Sequence, residues 1–438
     1  DLNFIDEKLL QSFTKREDYV KRLKLLQDYY QFPWRDDQKA VLNDFLTTNY
    51  QYYCINGIFG CGKCHGKGTP IMMFDGTIKN VEEIEIGDQL MGDDSTPRNV
   101  LALGRGQDDI YSVTNQKGES YTVNSEHILC LKYSMKKRLF DQQKFGKQSY
   151  CVTWFDNDKI SKCSKSFNYK GRDKDQVKQE AQYFLNSIEE NLNVNIEVKD
   201  YIKLPKHMQD SLKGYSTFIN FSEKFVDIDP YLLGLWLGDG TSKTPEITTQ
   251  DSVIVKYLKE NLSTIDCYLQ HKDKYTYRIN GNNKNNFLEF LKTNNLLGNK
   301  HIPRDFKCNS REKRLRLLAG LIDSDGNKTI NVYEFGQKNE KLMDDVIYLC
   351  RSLGFSCYKK ERYTDYDSSQ TKKRFKSFRI HISGKDLHKI PCLVPRKQIK
   401  EERKQIKDTL ISKIKVQKEY YGDYYGFMLD GNHKYLLG

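Results

Sequence analysis

At 438 residues, with 38% hydrophobic and 12% aromatic side chains, the chain is long and apolar enough for roughly two to four packed domains. Lys and Arg outnumber Asp and Glu by 71 to 59, a formal net charge of +12, so the favoured partner is a polyanion, most simply nucleic acid. The 11 cysteines suggest no disulfide framework, no signal peptide is read at the start, and no apolar run reaches about 18 residues; these features speak against a secreted or membrane-spanning protein and predict an intracellular one, cytoplasmic or nuclear.

Residues 1–63 read as a short, mostly helical segment ending in a nucleotide loop. Leu9, Leu10, Phe13, Tyr19, Leu23 and Leu26 recur at helical spacing until Phe32-Pro33. A second helical stretch covers 36–46, and Tyr52 to Ile55 reads as a short buried strand. That strand runs into Gly57-x-x-x-x-Gly62-Lys63, the context in which backbone N–H groups and a helix N-terminus cradle phosphate. Gln38, in Asp36-Asp37-Gln38, resembles the adenine-recognising glutamine of DNA helicases. Gly57, Gly62, Lys63 and Gln38 are therefore the expected ATP-binding residues of an intact host ATPase. The residue after Lys63 should be Ser or Thr, whose hydroxyl holds Mg²⁺. It is Cys64, and no later ATPase motif is visible, so ATP is expected only for the host once the interruption is removed.

From Cys64 the chain turns β-rich. Short strands are predicted around 69–77, 81–86, 109–113, 120–123 and 127–131, with an Asp75-Gly76 turn. The segments 64–77 and 81–88 resemble the first conserved block of inteins. Val123-Asn124-Ser125-Glu126-His127 resembles the second, and 424–438, with His433, resembles the block near an intein's C-terminus. The resemblance implies an all-β, horseshoe-shaped domain of the Hedgehog–intein (Hint) class, its two parts at 64–132 and 415–438. It also places a terminal His-Asn pair several residues beyond Gly438, so this chain is expected to be a fragment able to form a thioester but not to ligate its flanks.

Between those parts, 133–224 is polar and Lys-rich, with helical periodicity near 175–188; it reads equally as a DNA-recognition insert or as a linker. Then one pattern occurs twice, 86 residues apart: Leu232 to Gly240 and Leu318 to Gly326. Each is an apolar helix rich in small residues that ends in Asp-Gly. The second matches LAGLIDADG at eight of nine positions, which implies a DOD-type homing endonuclease over 225–400 with both repeats in one chain, hence a monomer. Residues 359–418 hold 19 Lys/Arg against 7 Asp/Glu, with aromatics interleaved, as a double-stranded DNA partner requires. The expected fold is mixed α/β and multidomain: a Hint horseshoe split by an α+β LAGLIDADG domain and preceded by the ATPase fragment.

The resemblance assigns chemistry residue by residue. Cys64 would attack the Lys63 carbonyl, because a thiolate is a good nucleophile near neutral pH. His127 would protonate the leaving amide nitrogen. Asn124 would hydrogen-bond near the scissile bond, although Glu126 stands closer to the histidine than family members suggest. His433 would assist the C-terminal step. Asp239 and Asp325 would hold Mg²⁺, with Lys300 as their basic partner and Lys376 as its counterpart in the second half. Cys61 and Cys64 also form a Cys-x-x-Cys, readable as a redox gate on the nucleophile. Two other readings stay open at this point: a nucleotide-binding protein with an ordinary insertion, and a DNA-binding protein whose splicing and nuclease parts are degenerate.

Overall fold

The computed structural model describes residues 64–368, 371–402 and 408–438, with side chains omitted for 364–373. The nucleotide-loop candidates Gln38, Gly57, Gly62 and Lys63, together with Cys61, lie outside the described residues.

One antiparallel sheet of eight strands joins the two ends of the described chain. Its order is 193–197, 128–133, 212–215, 411–429, 64–66, 120–124, 97–115 and 89–91. Two strands of 19 residues each, Pro97–Asn115 and Ile411–Leu429, form its spine. They pair from Ile414↔Asn115 to Leu429↔Val100, with register shifts at 418/420 and 428/429. Their opposite ends are buried in separate cores. Val113 and Val123 pack with Leu129, Leu131 and Val194; Val100, Phe427 and Leu429 pack with Ile71, Val81 and Leu90. A β-rich domain built from both halves is therefore observed, as the intein blocks imply.

The expected boundaries at 132 and 224 do not hold. Asn193–Glu197 pairs with Ile128–Tyr133, and Leu212–Tyr215 pairs with both Ile128–Tyr133 and Ile411–Leu429. These late parts of the supposed insert belong to the large sheet. What remains is a small folded unit, so the linker reading is corrected as well. Strands 138–141, 149–156 and 161–168 form a sheet, covered by helix α1, Lys174–Ser187. Asp173 caps α1 by accepting from the Gln176 N–H at 2.7 Å. Val177 and Ala181 bury its inner face against Tyr150 and Val152, and Phe155 stacks on Tyr133 of the large sheet at 4.1 Å between ring centroids.

The two sequence repeats form helices α2, Pro230–Asp239, and α3, Arg311–Asp325. Asp229 caps α2 and Pro230 occupies its first turn, where no N–H is missed. α2 and the second half of α3, from Leu317 to Ile322, are apolar all round because they run through the largest core of the molecule. Each is followed by antiparallel strands, three over 246–281 and four over 326–382. The helices meet backbone to backbone. A Cβ on Gly234 would lie 2.8 Å from the Leu321 nitrogen and 2.9 Å from the Gly320 Cα. The two-helix part is also fixed to the large-sheet part: Arg304 pairs with Asp75 at 2.5 Å, and the Tyr348 hydroxyl donates to the Gly76 carbonyl at 3.0 Å. Among the described residues no helix is long and apolar enough to cross a membrane.

The helix contact leaves no room for a side chain. Gly320→Leu is expected to cost about 3 kcal/mol or more by overpacking against a backbone that cannot yield, read as a lower urea midpoint. An unchanged midpoint would contradict the contact.

Candidate functional site

The structure assembles two separate centres. The first lies on strand Cys64–Gly66, every residue of which is buried. Cys64 pairs with Gly426, and a Cβ there would stand 2.5 Å from the Cys64 Sγ; the glycine leaves the space that the thiol fills. Asn124 and His127 come from the turn after strand Ser120–Asn124. The His127 N–H donates to the Asn124 carbonyl at 3.3 Å, and Ser125 ties the turn down through N–H and hydroxyl bonds to the Asp108 carboxylate at 3.1 and 2.6 Å. Cys64, Asn124 and His127 are all buried. The Asn124 Oδ1 meets no hydrogen-bond donor among the described residues. Glu126 instead points outward beside Lys199 at 3.7 Å, its side chain 63% exposed. Of Asn124 and Glu126, Asn124 is the one facing the interior.

His433 is not brought to this centre. It is exposed, has φ +60°, and turns its Nδ1 to the Leu429 carbonyl. The groups actually present are two that sequence reasoning passed over. His65 is 1% exposed, bonds through Nε2 to the Tyr435 hydroxyl, and lies edge-on to His127 with centroids 4.7 Å apart. The signal was its place beside the nucleophile in a strand without an exposed position; composition alone gave no reason to weigh it.

The second centre is at the C-terminal ends of α2 and α3. These ends bring Asp239 and Asp325 within mutual interaction range. Burial, then the charge of Asp325, pushes the Asp239 carboxyl up to about 6. Burial also raises Asp325, against the pull of Lys300, a 2.9 Å hydrogen bond from Gln337, and Lys397. Lys300 Nζ donates to the carbonyls of Leu237, Gly238 and Gly240 at 3.0, 3.2 and 2.6 Å. It thereby satisfies the unpaired C-terminal carbonyls of α2 and places a cation at the negative end of that helix. Burial pulls its pKa down to about 8, against the two aspartates.

The expected counterpart, Lys376, is not here. It lies exposed on strand Thr371–Ile382, paired with Glu361 at 2.6 Å. Lys397 takes the equivalent place: it is buried, and its Nζ donates to the carbonyls of Ile322, Asp323 and Ser324 at the end of α3 at 2.9, 2.7 and 3.0 Å. Of the two lysines, Lys397 and not Lys376 is the one that the structure brings to the end of α3. Its loop is held by the buried Asp323, which accepts from the backbone N–H groups of Leu393 at 2.6 Å and Val394 at 3.3 Å.

Two carboxylates held close together, Asp239 half-buried and Asp325 exposed, favour a divalent cation, because the cation offsets their mutual repulsion. Among the described residues no third His, Cys, Asp or Glu joins them. A cation here would complete its shell with backbone carbonyls, water and substrate oxygens, which suits a hard ion such as Mg²⁺.

An eight-stranded β domain with a buried thiol–imidazole centre, interrupted in sequence by two paired acid-tipped helices, defines a homing-endonuclease-bearing intein. The chain belongs to the Hom_end-associated Hint family, whose model matches residues 64–438. The catalytic subunit of the V-type proton ATPase of Candida tropicalis is 24% identical over 88% of this chain and 45% of its own length. The homothallic switching endonuclease of Saccharomyces cerevisiae is 31% identical over 29% of this chain and 27% of its own. The chain thus spans less than half of either relative. A solved mesophilic variant of the homing endonuclease I-DmoI aligns with 37% of this chain and 94% of its own at 18% identity and TM-score 0.26.

The raised Asp239 pKa fixes the sign of a stability effect. Without metal, its contribution favours the folded state below the ordinary value of 3.8 and is lost as pH rises through about 6. Asp239→Asn in EDTA at pH 7 is expected to raise Tm by about 2–4 °C. Calcium binding by the unaltered chain, followed by calorimetry, should weaken as pH falls through about 6. A lower Tm for the variant would contradict the buried like-charge pair.

Proposed function

We propose that residues 64–438 are a self-splicing element that also cuts double-stranded DNA at the allele lacking it. In the first reaction the Cys64 sulfur adds to the Lys63 carbonyl carbon. The C–N bond then breaks and a thioester replaces the amide. His127 delivers the proton that the departing Cys64 nitrogen needs, and the inward-facing Asn124 amide hydrogen-bonds at the scissile peptide. His433 is reserved for the C-terminal step. The observation that carries this reading is the burial of Cys64, Asn124 and His127 in one sheet, whose spine joins residues some 300 positions apart.

In the second reaction Asp239 and Asp325 hold Mg²⁺, which when bound activates water and stabilises the leaving oxygen of a phosphodiester. Lys300 and Lys397 keep both helix ends closed and supply positive charge where phosphate approaches. The long hairpin formed by Lys360–Ser368 and Thr371–Ile382 carries Arg374, Lys376 and Arg379 on its second strand, and the basic surface around it grips the DNA backbone in a salt-dependent manner. Lys376 belongs to this gripping surface and not to the chemistry. Both repeats sit in one chain, so a monomer suffices. The interrupted host is an ATP-binding, helicase-like protein whose loop regains a Ser or Thr after Lys63 on splicing; ATP is a ligand of that spliced protein alone.

A plasmid carrying the uninterrupted host coding junction tests the nuclease reading. With Mg²⁺ the chain should linearise it. Asp325→Asn and Lys397→Gln should each slow cleavage by about a hundredfold or more, whereas Lys376→Gln should weaken binding only slightly and make its loss with salt slightly shallower. Absence of Mg²⁺-dependent cleavage, or equal loss in Lys376→Gln and Lys397→Gln, would overturn this assignment.

A further inference from the structure

The splicing centre contains a second buried imidazole that the chemistry above does not use. His65 follows the nucleophile directly and is held on both sides, by Val123 in one strand and Tyr425 in the other. Its ring meets three others: His127 at 4.7 Å, Tyr435 at 5.9 Å and Tyr121 at 6.3 Å between centroids. Its Nε2 is bonded to the Tyr435 hydroxyl.

Tyr435 reaches this place from the other lobe of the horseshoe. Its segment is pinned by a bridge between Tyr435 and Gly92 and one between Leu437 and Ile71. The Leu436 N–H donates to the Met91 carbonyl at 2.8 Å, and the Gly438 N–H to the Pro70 carbonyl at 2.9 Å. Its ring packs edge-on against Phe427 at 5.1 Å. The hydroxyl therefore joins the C-terminal segment to the N-terminal reaction centre.

We propose that Tyr435 and His65 are positioning residues for the thioester-forming step, Tyr435 fixing the orientation and tautomer of His65 and His65 in turn holding the His127 imidazole against the Cys64 amide. This rests on the splicing reading given above. Burial keeps the Tyr435 phenol protonated far above its ordinary range, and its O–H is in place to donate to the His65 Nε2. An imidazole accepting at Nε2 is neutral, with its proton on Nδ1. Two imidazoles this close in a dry pocket do not both carry charge cheaply. Keeping His65 neutral leaves the proton for the amide nitrogen to His127. The other polar groups around the pair are Cys64 on the same strand, Tyr121 and Asn124 on the next, Cys130 beyond the turn, and Tyr425 across from His65. None carries a fixed charge able to take over that role.

Tyr435→Phe removes the hydroxyl and leaves the ring on Phe427, so the fold should survive with an unchanged circular dichroism spectrum. Two readouts then decide. Imidazole ¹⁵N NMR of the full chain should show His65 with an unprotonated Nε2 and a protonated Nδ1. In Tyr435→Phe that signature should disappear and the His127 signals should shift. The rate of dithiothreitol-induced cleavage at Lys63–Cys64 should fall by about tenfold, the worth of one buried hydrogen bond, with an altered pH profile. His65→Gln, whose amide oxygen still accepts from Tyr435, should retain more of the rate than His65→Leu. Unchanged imidazole signals in Tyr435→Phe overturn the inference, as does an unaltered rate and pH profile in a cleaving chain. An unaltered chain that never cleaves would sink the splicing reading instead, and the NMR result would still decide this one.

Discussion

The molecule depends on the pairing of Pro97–Asn115 with Ile411–Leu429. Among the described residues no other contact spans so much sequence with so many hydrogen-bonded positions. Strand Cys64–Gly66 is too short to hold itself, and it is fixed because Gly426 and Tyr425 offer it an edge. The same spine continues to Leu429, after which the chain turns back and inserts Tyr435 beside His65. Separating the two long strands would therefore expose the thiol, the imidazoles and the tyrosine together. The cost of closing so long a loop grows only slowly with its length, so a nuclease inserted between the strands burdens the splicing fold little, provided the insertion folds by itself.

The inserted nuclease meets that condition with its own constraint, the direct backbone contact of α2 and α3. Gly234 and Gly320 set how near the helices come, and their nearness brings Asp239 and Asp325 within reach of each other's charge. The two lysines then follow from backbone chemistry. Each helix ends with carbonyls that need donors, and a buried ammonium supplies three. One side chain thus completes a helix and charges the catalytic surface. Arg304 on Asp75 and Tyr348 on Gly76 bind this unit to the splicing sheet, so the two activities share one folded body even though their centres are distinct.

The parts of the fold legible in sequence were those in which a special residue must occupy a special place. The Asp-Gly ends of the two repeats, the small residues between them, Cys64 and His127 are all of this kind, and the structure brings the two Asp-Gly ends together and buries Cys64 and His127. Other features left weaker traces. The strand 97–115 is 19 residues long, but only its ends are apolar, so periodicity revealed just 109–113. The strands inside 133–224 are at most eight residues long and set among polar, Lys-rich connections, which looks like linker until their pairing is known. Lys397 was missed because its position relative to proline is reversed: Lys300 precedes Pro303, whereas Lys397 follows Pro395, and both ammonium groups nevertheless reach equivalent helix ends. His65 and Tyr435 are joined only by folding, being 370 residues apart in sequence.

The central claim is that this sheet makes the peptide bond before Cys64 labile. Hydroxylamine treatment of the folded chain, read by mass spectrometry beside Cys64→Ala, tests it most directly. The account predicts an N-terminal fragment ending in the hydroxamate of Lys63 from the unaltered chain and none from the variant. An intact chain in both samples, with the fold verified, would contradict it.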